Sequence, residues 1–362
     1  MRSFFIISAV VFQILVLGWM AGEREWIVRT GPSFWLRTAP VDPRDLFRGD
    51  YVRLNYDIST IPREKFGPEL KTFVDDLPKT GSYTTFLGER EIPVYVALTT
   101  NPETGVAEVV SVDRVPPPSG SFLKGRVCRY DAAASRLSGI EYGIDAYFVE
   151  QGKGRELERR APVGTPDGIQ APLQMEVAVG RNGTAVLKDH RWSPLGIGAK
   201  VMNADEQGQV EGRKNKIIRV TLCNTSSTPQ VVVWPNDLST LHLQSIQDGE
   251  DEPGPQTPLD DTRPTVARKV RDKTPHTDAD MRVLQPGQTL TADLDPADPR
   301  WVVKDKESGK WVSLTSREAR RQSFRVVYQP PAPSACSGLK DVNLIAQDPC
   351  PANIVGQYEL TE

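Results

Sequence analysis

RTAPVDPRDLFRGDYVRLNYDIS (Arg37–Ser59) is the most legible stretch of the chain. Asp42 can cap a short turn that Pro43 begins, because proline suits a first helical position and an aspartate accepts backbone N–H groups. Leu46 and Phe47 point inward from that turn. Gly49 supplies the positive φ needed to leave it, and Asp50 satisfies nearby amides before a strand starts at Tyr51. From there Val52, Leu54 and Tyr56 face one way while Tyr51, Arg53 and Asn55 face the other. That period of two is the mark of a half-buried strand, so the stretch reads as turn followed by strand.

The same pattern extends on both sides. Ile92–Leu98, Phe122–Tyr130 and Ile140–Val149 are further apolar runs of strand length, while a helix is expected only over Pro62–Leu70. Met175–Leu187 holds Arg181-Asn182-Gly183-Thr184 between valine-rich arms, which predicts a hairpin with a type I′ turn. These elements make a mostly β first domain over residues 26–192. Residues 193–215 are polar and glycine-rich and read as a linker. Beyond them Lys216–Cys223, Gln230–Trp234, Met281–Leu284, Thr289–Leu294, Trp301–Val303, Trp311–Leu314 and Phe324–Tyr328 read as short strands separated by turns. Their spacing suggests an immunoglobulin-like β-sandwich over residues 216–330. Its insertion, residues 248–280, carries nine acidic and five basic residues with five prolines, a solvated loop without a core. Residues 331–362 form a C-terminal tail in which Cys336 and Cys350 flank a loop that a disulfide could close. Four cysteines permit three pairings, and Cys128 and Cys223 also fit as buried thiols in strands.

Composition agrees with this outline. The chain has 362 residues, enough for about two domains. Its 30 prolines and 28 glycines suit short strands and turns. Lys and Arg number 44 against 47 Asp and Glu, a net charge of −3 that argues against a nucleic-acid partner. Phe4–Ala21 is an uncharged apolar run with two polar side chains, Ser8 and Gln13. As a helix it would be about 27 Å long, close to a hydrocarbon core of about 30 Å. The run exceeds the usual signal-peptide core, and no small-x-small cleavage site follows it. Trp19 and Trp26 suit the membrane interface. Residues 1–25 therefore read as a retained anchor, with the lipid bilayer as partner of residues 4–21. Arg24, Arg29 and Arg37 after the run favour an inward body by charge counting, whereas the cysteines favour an extracytoplasmic one, which is the orientation expected here.

Gly49-Asp50-Tyr51-Val52-Arg53-Leu54-Asn55-Tyr56 resembles the signature of the GDYXXLXY proteins, membrane-anchored bacterial proteins of unknown activity. Pro40-Val41-Asp42-Pro43-Arg44-Asp45-Leu46 is similar to that family's lead-in. So is a second stretch, Tyr142-Gly143-Ile144-Asp145-Ala146-Tyr147-Phe148-Val149-Glu150 followed by Gly152-Lys153-Gly154. The resemblance spans roughly residues 1–190 and implies a single-span protein with an extracytoplasmic β domain. It implies no catalytic residue and is silent on residues 193–362.

Chemistry-bearing motifs are weak. A proline-rich turn before Gly-Asp-x-Val also occurs in signal-peptidase-like serine proteases, which place a nucleophilic Ser before it and use a Lys base. Here Thr38-Ala39-Pro40-Val41 occupies that place; Ser33 comes too early, and Lys153 has no nucleophile to pair with. Gly152-Lys153-Gly154 lacks the glycine spacing and hydroxyl of a phosphate loop, and Gly196-Ile197-Gly198 lacks the third glycine of a dinucleotide site. His190, His242 and His276 are dispersed. Asp42, Asp45, Asp50 and Asp57 could offer oxygen ligands to calcium, but turn and capping roles account for them. The sequons at Asn182 and Asn224 read as turns.

The sequence thus predicts a mainly β protein with an N-terminal transmembrane helix, a barrel-like or mixed β domain and an immunoglobulin-like sandwich. The expected role is binding or assembly in the bacterial envelope, single-pass in the inner membrane with a periplasmic body. The expected partners are membrane or envelope proteins or further copies of the chain. No enzyme activity, cofactor or metal is expected. The alternatives are an envelope hydrolase on the protease-like scaffold and a calcium-dependent adhesion module. Asp42, Pro43, Gly49, Asp50, Tyr51, Leu54, Tyr56, Gly143, Tyr147, Phe148, Gly152 and Gly154 are the candidate site, structural or partner-binding, and Cys336–Cys350 the candidate disulfide.

Overall fold

A computed structural model describes residues 2–39, 51–77, 84–86, 91–102, 105–127, 129–131, 135–148, 161–162, 164–203, 216–246, 276–298, 301–304, 311–314, 316, 323–330, 350–352 and 355–356. The protein is mainly β, with several small antiparallel sheets and one long N-terminal helix. Among the described residues no sheet closes into a barrel, so the barrel-like expectation gives way to a set of separate small sheets.

Arg2–Thr30 is a single helix, and its segment Phe4–Thr30 is long and apolar enough to cross a membrane. Its side chains from Phe4 to Trp26 are exposed. Ile27 is buried, 6% exposed, where the helix meets the body. Gly31 and Pro32 then lead without a spacer into strand Ser33–Ala39.

That strand is central to its sheet. It pairs along one edge with Leu173–Val179, which continues to Ala185–Trp192, and at its far end with Asn55–Tyr56. Phe34, Leu36, Leu173, Met175, Val177 and Val179 turn to one face and enter the core, as the period of two requires. A second sheet, Ala107–Asp113, Ile92–Thr100 and Ser121–Val127, adds Val94, Val96, Val112 and Leu123 to the same core. Pro68–Asp75 is the one short helix on this body among the described residues, presenting Leu70 and Val74 inward. It starts later than expected. Arg63–Lys65 forms only a 3₁₀ turn, and the helix begins at Pro68 after Gly67, where the missing proline N–H costs nothing.

Three further expectations change. Ile140–Phe148, the described part of the run Ile140–Val149, is not one strand, because Gly143 takes φ +74 and breaks it; Glu141 makes a single antiparallel bridge to Arg126, and Ala146–Phe148 forms a short strand. The hairpin at 173–192 forms, but not with a type I′ turn. Gly183 alone in its loop has positive φ (+82), and its N–H donates to the Gly180 carbonyl while the Gly180 N–H donates to that of Thr184. That pattern is a type I turn closed by a glycine bulge. Finally, residues 193–215 are not all linker: Leu195–Asn203 pairs over nine positions with Lys216–Asn224, since Leu195, Ile197 and Ala199 alternate into a second core.

The second core gathers that hairpin, edged by Thr289–Leu294, with the sheet Leu241–Ile246/Ser323–Tyr328 and Trp234, Trp301 and Leu314. Met281–Leu284 and Thr289–Leu294 are neighbours in sequence yet belong to different sheets, pairing with Gln230–Val233 and Lys216–Asn224 respectively. The tail contributes structure too: Cys350–Pro351 and Val355–Gly356 pair antiparallel with strand Ser323–Tyr328. Within the expected insertion, residues 248–275 lie outside the described residues.

Candidate functional site

The stretch read from sequence as one strand divides at Leu54. Tyr51–Arg53 pairs with Ala146–Phe148, placing Tyr51 opposite Phe148 and Val52 opposite Tyr147, whereas Asn55–Tyr56 pairs with Thr38 and Ala39. Leu54 bridges the two, its N–H donating to the Asp145 carbonyl at 2.7 Å. Leu54 and Tyr56 are both in the core, 5% and 1% exposed.

Tyr56 is the pivot. Its phenol donates to the Ile144 carbonyl at 2.8 Å, and Tyr142 donates back to the Ile58 carbonyl at 2.6 Å. The two tyrosines thus fasten the segment 54–58 to the segment 142–145 from both sides. Burial pushes both phenols well above the ordinary tyrosine range, and the Asp145 carboxylate pushes in the same direction. They are neutral donors, held as such by the fold. Gly125 lies beneath this clasp, where a Cβ would meet Ile140 at 2.6 Å and Tyr142 at 3.1 Å.

At the edge of the same unit, the Tyr147 hydroxyl is 3.3 Å from Nδ1 of His190, with the rings edge-to-face at 5.6 Å. Burial again raises the Tyr147 phenol, with Asp189 adding to it. Of the other sequence candidates, Asp42, Pro43, Gly49, Asp50, Gly152 and Gly154 lie outside the described residues. So does Cys336, and with it the proposed disulfide; Cys350 is buried, its sulfur 3.2 Å from the Leu195 carbonyl oxygen. No group of His, Cys, Asp and Glu among the described residues is arranged to hold a metal ion. Tyr142 and Ile144, which complete the clasp, were not among the candidates. The only sequence signal for them was their place in the second quoted stretch.

One pair bears on the protease-like alternative. The Lys188 ammonium donates to Ser33 Oγ at 2.9 Å, so a Ser–Lys contact does exist, although not with the lysine considered from sequence. The same ammonium donates to Glu176 Oε1 at 2.8 Å, and Ser33 lies exposed on the outer face of the sheet. A lysine base in such proteases is desolvated, whereas the Lys188 side chain is 28% exposed and shared with Glu176. Beside it Arg191 stacks on the Trp35 ring at 4.2 Å and donates to Gln174 at 2.6 Å. These contacts knit three strands on their solvent side.

The glycines that resembled cofactor motifs also have a packing role. A Cβ on Gly196 would meet Ile169 at 2.8 Å, and one on Gly198 would strike the Gly168 carbonyl. They allow Gln170 and Ile197 to exchange backbone hydrogen bonds at 2.8 and 3.0 Å where the two cores meet. The two sequons build turns: Asn182 Oδ1 accepts the Thr184 N–H, and Asn224 Nδ2 donates to the carbonyls of Thr228 and Leu284.

The clasp joins the two stretches on which the family resemblance was based, and the family model covers both. Residues 13–189 match the family model of the GDYXXLXY proteins. The match takes in most of the apolar helix, the pivot Tyr56, the clasp residues 142–145 and the hairpin 173–189. It ends before the second core begins at Leu195. No curated protein and no solved structure gives a significant match to the chain. The GDYXXLXY signature thereby acquires a physical meaning: its last Leu and Tyr are core residues, and its strand switches partner between them.

Proposed function

We propose that this protein is a non-enzymatic binding or assembly protein of the bacterial cell envelope, anchored by its N-terminal helix with an extracytoplasmic body. The observation that carries the reading is the direct passage of the apolar helix into the first sheet through Gly31 and Pro32, with Ile27 seated in the body. A cleaved leader would have no reason to be packed against the domain it leaves. The clasp supports a structural use of the motif, because its tyrosines are consumed by internal hydrogen bonds. The second core is read as an immunoglobulin-like sandwich, supported by two antiparallel sheets facing one set of buried side chains. Such a domain recruits partners through faces and strand edges.

Affinity capture of the detergent-solubilised full chain after crosslinking in cells tests the reading. Recovery of one or a few membrane or envelope proteins, or of a second copy of the chain, is the expected result. Release of the chain from membranes by alkaline carbonate would overturn the anchoring, and the absence of any crosslinked species would overturn the assembly role.

A further inference from the structure

The joint between helix and body sets the height of the body above the membrane. Gly31 lies against strand Leu173–Val179, where a Cβ would meet the Val179 carbonyl oxygen at 2.6 Å. The Val179 N–H donates to the Pro32 carbonyl at 3.0 Å. One residue further along the hairpin, a Cβ on Gly180 would meet Ile27 Cδ1 at 2.9 Å. Ile27 is a full helical turn closer to the apolar run than Gly31, so the hairpin descends alongside the helix instead of rising away from it. Its tip, Arg181 and Asn182, is exposed.

Ile27 is six positions beyond Ala21, the end of the apolar run, a rise of about 9 Å. The polar headgroup layer is about 5–8 Å deep on each side of the hydrocarbon. A hairpin tip that reaches the level of Ile27 therefore stands at the outer boundary of that layer, and a long cationic side chain on it extends inside. The neighbourhood suits phosphate. Lys124 is exposed, and its backbone N–H donates to the Gly183 carbonyl at the base of the tip. Of the helix acids nearby, Glu25 is engaged by Arg29 at 2.6 Å, and Glu23 is exposed.

We propose that the body rests on the bilayer it is anchored in, with the hairpin tip Arg181–Asn182 in the phospholipid headgroup layer and the Ile27–Gly31 joint holding it there. The inference rests on the helix being a retained membrane span. It goes further in naming a lipid-facing surface and the device that fixes it. A body pinned in this way turns its remaining faces along the membrane plane, toward partners in the same bilayer.

The test uses the full chain in vesicles of phosphatidylcholine and phosphatidylglycerol, with an environment-sensitive fluorescent amino acid at position 181. Lipids spin-labelled at the headgroup are expected to quench it. Quenching is expected to be lost in Gly31→Val, where the added side chain collides with Val179, and in a second variant carrying a flexible Gly-Ser insert between Thr30 and Gly31. A melting curve of each variant confirms that the body remains folded. An unquenched probe in carbonate-resistant protein would overturn the docking while leaving the anchoring intact. Undiminished quenching in both joint variants would overturn the role of the joint. Extraction by carbonate would remove the anchoring itself, and the docking with it.

Discussion

Removing the hydroxyl of Tyr56 by Tyr56→Phe leaves the Ile144 carbonyl buried without its donor. Loss of one partner of a buried hydrogen bond costs about 1–3 kcal/mol, so the urea midpoint should fall while the slope stays unchanged. Tyr142→Phe removes the reciprocal bond to Ile58. Because both bonds hold the same two segments, the double variant should lose less than the sum of the singles. The same phenols set an alkaline limit. Their folded-state pKa values are raised. The stability they contribute is therefore fully present below about pH 10, the unfolded tyrosine value, and is lost as pH rises above it. Denaturant melts at rising pH should show this loss, reduced in each Phe variant. Ser33 and Lys188 give an independent check on chemistry. A fluorophosphonate probe should fail to label the protein, and Ser33→Ala should change stability by no more than about 0.5 kcal/mol, as at other surface positions. Labelling that disappears in Ser33→Ala would show that Ser33 is a nucleophile after all.

Turns and edges carry the next level of organisation. Gly183 and Gly143 both have positive φ, +82 and +74, but their surroundings differ. A Cβ at Gly143 meets nothing, whereas one at Gly183 would meet the Phe122 ring at 2.7 Å and the Lys124 nitrogen at 2.9 Å. Gly143→Ala should therefore cost only the conformational term of about 1–2 kcal/mol. Gly183→Ala should cost more and should also loosen the hairpin, visible as faster amide exchange over 173–192. On the second core, Arg219 grips Asp293 across adjacent strands with two contacts of 2.7 Å. This holds the Asp293 carboxyl below the usual carboxylate range. A lowered folded pKa contributes stability above about pH 4 that is lost as pH falls further. Both side chains are about two-fifths exposed, so the pair is worth at most about 1 kcal/mol. NMR titration of Asp293 should return to the ordinary range in Arg219→Gln.

The whole molecule depends on how its two cores meet. Gln170 and Ile197 exchange backbone hydrogen bonds there, and Gly198 fits against the Gly168 carbonyl. Gly198→Val should force this contact apart and speed limited proteolysis between the halves, while Trp35 and Trp234 still report two folded cores. Much of the architecture was legible before any tertiary information. The apolar run, the strand periodicity and the hairpin arms follow from local side-chain patterning, which acts over a few residues and is written in order along the chain. Patterning also placed Leu54 and Tyr56 on one face of a half-buried strand, without saying which face is buried. It could not say that the strand changes partner between them, nor that Leu195–Asn203 would be a strand beneath its polar surroundings. It could not place Met281–Leu284 and Thr289–Leu294 in different sheets. Pairing depends on hydrogen bonds between residues far apart in sequence, and the same alternation satisfies many partners equally well. The sequence by itself determined the helix long enough to cross a membrane, the β class and the family motif. Only the tertiary structure decided that Tyr56 is clasped to Ile144, that Ser33 meets Lys188, and that Ile27 joins helix to body. Each of these joins segments that chain order keeps apart.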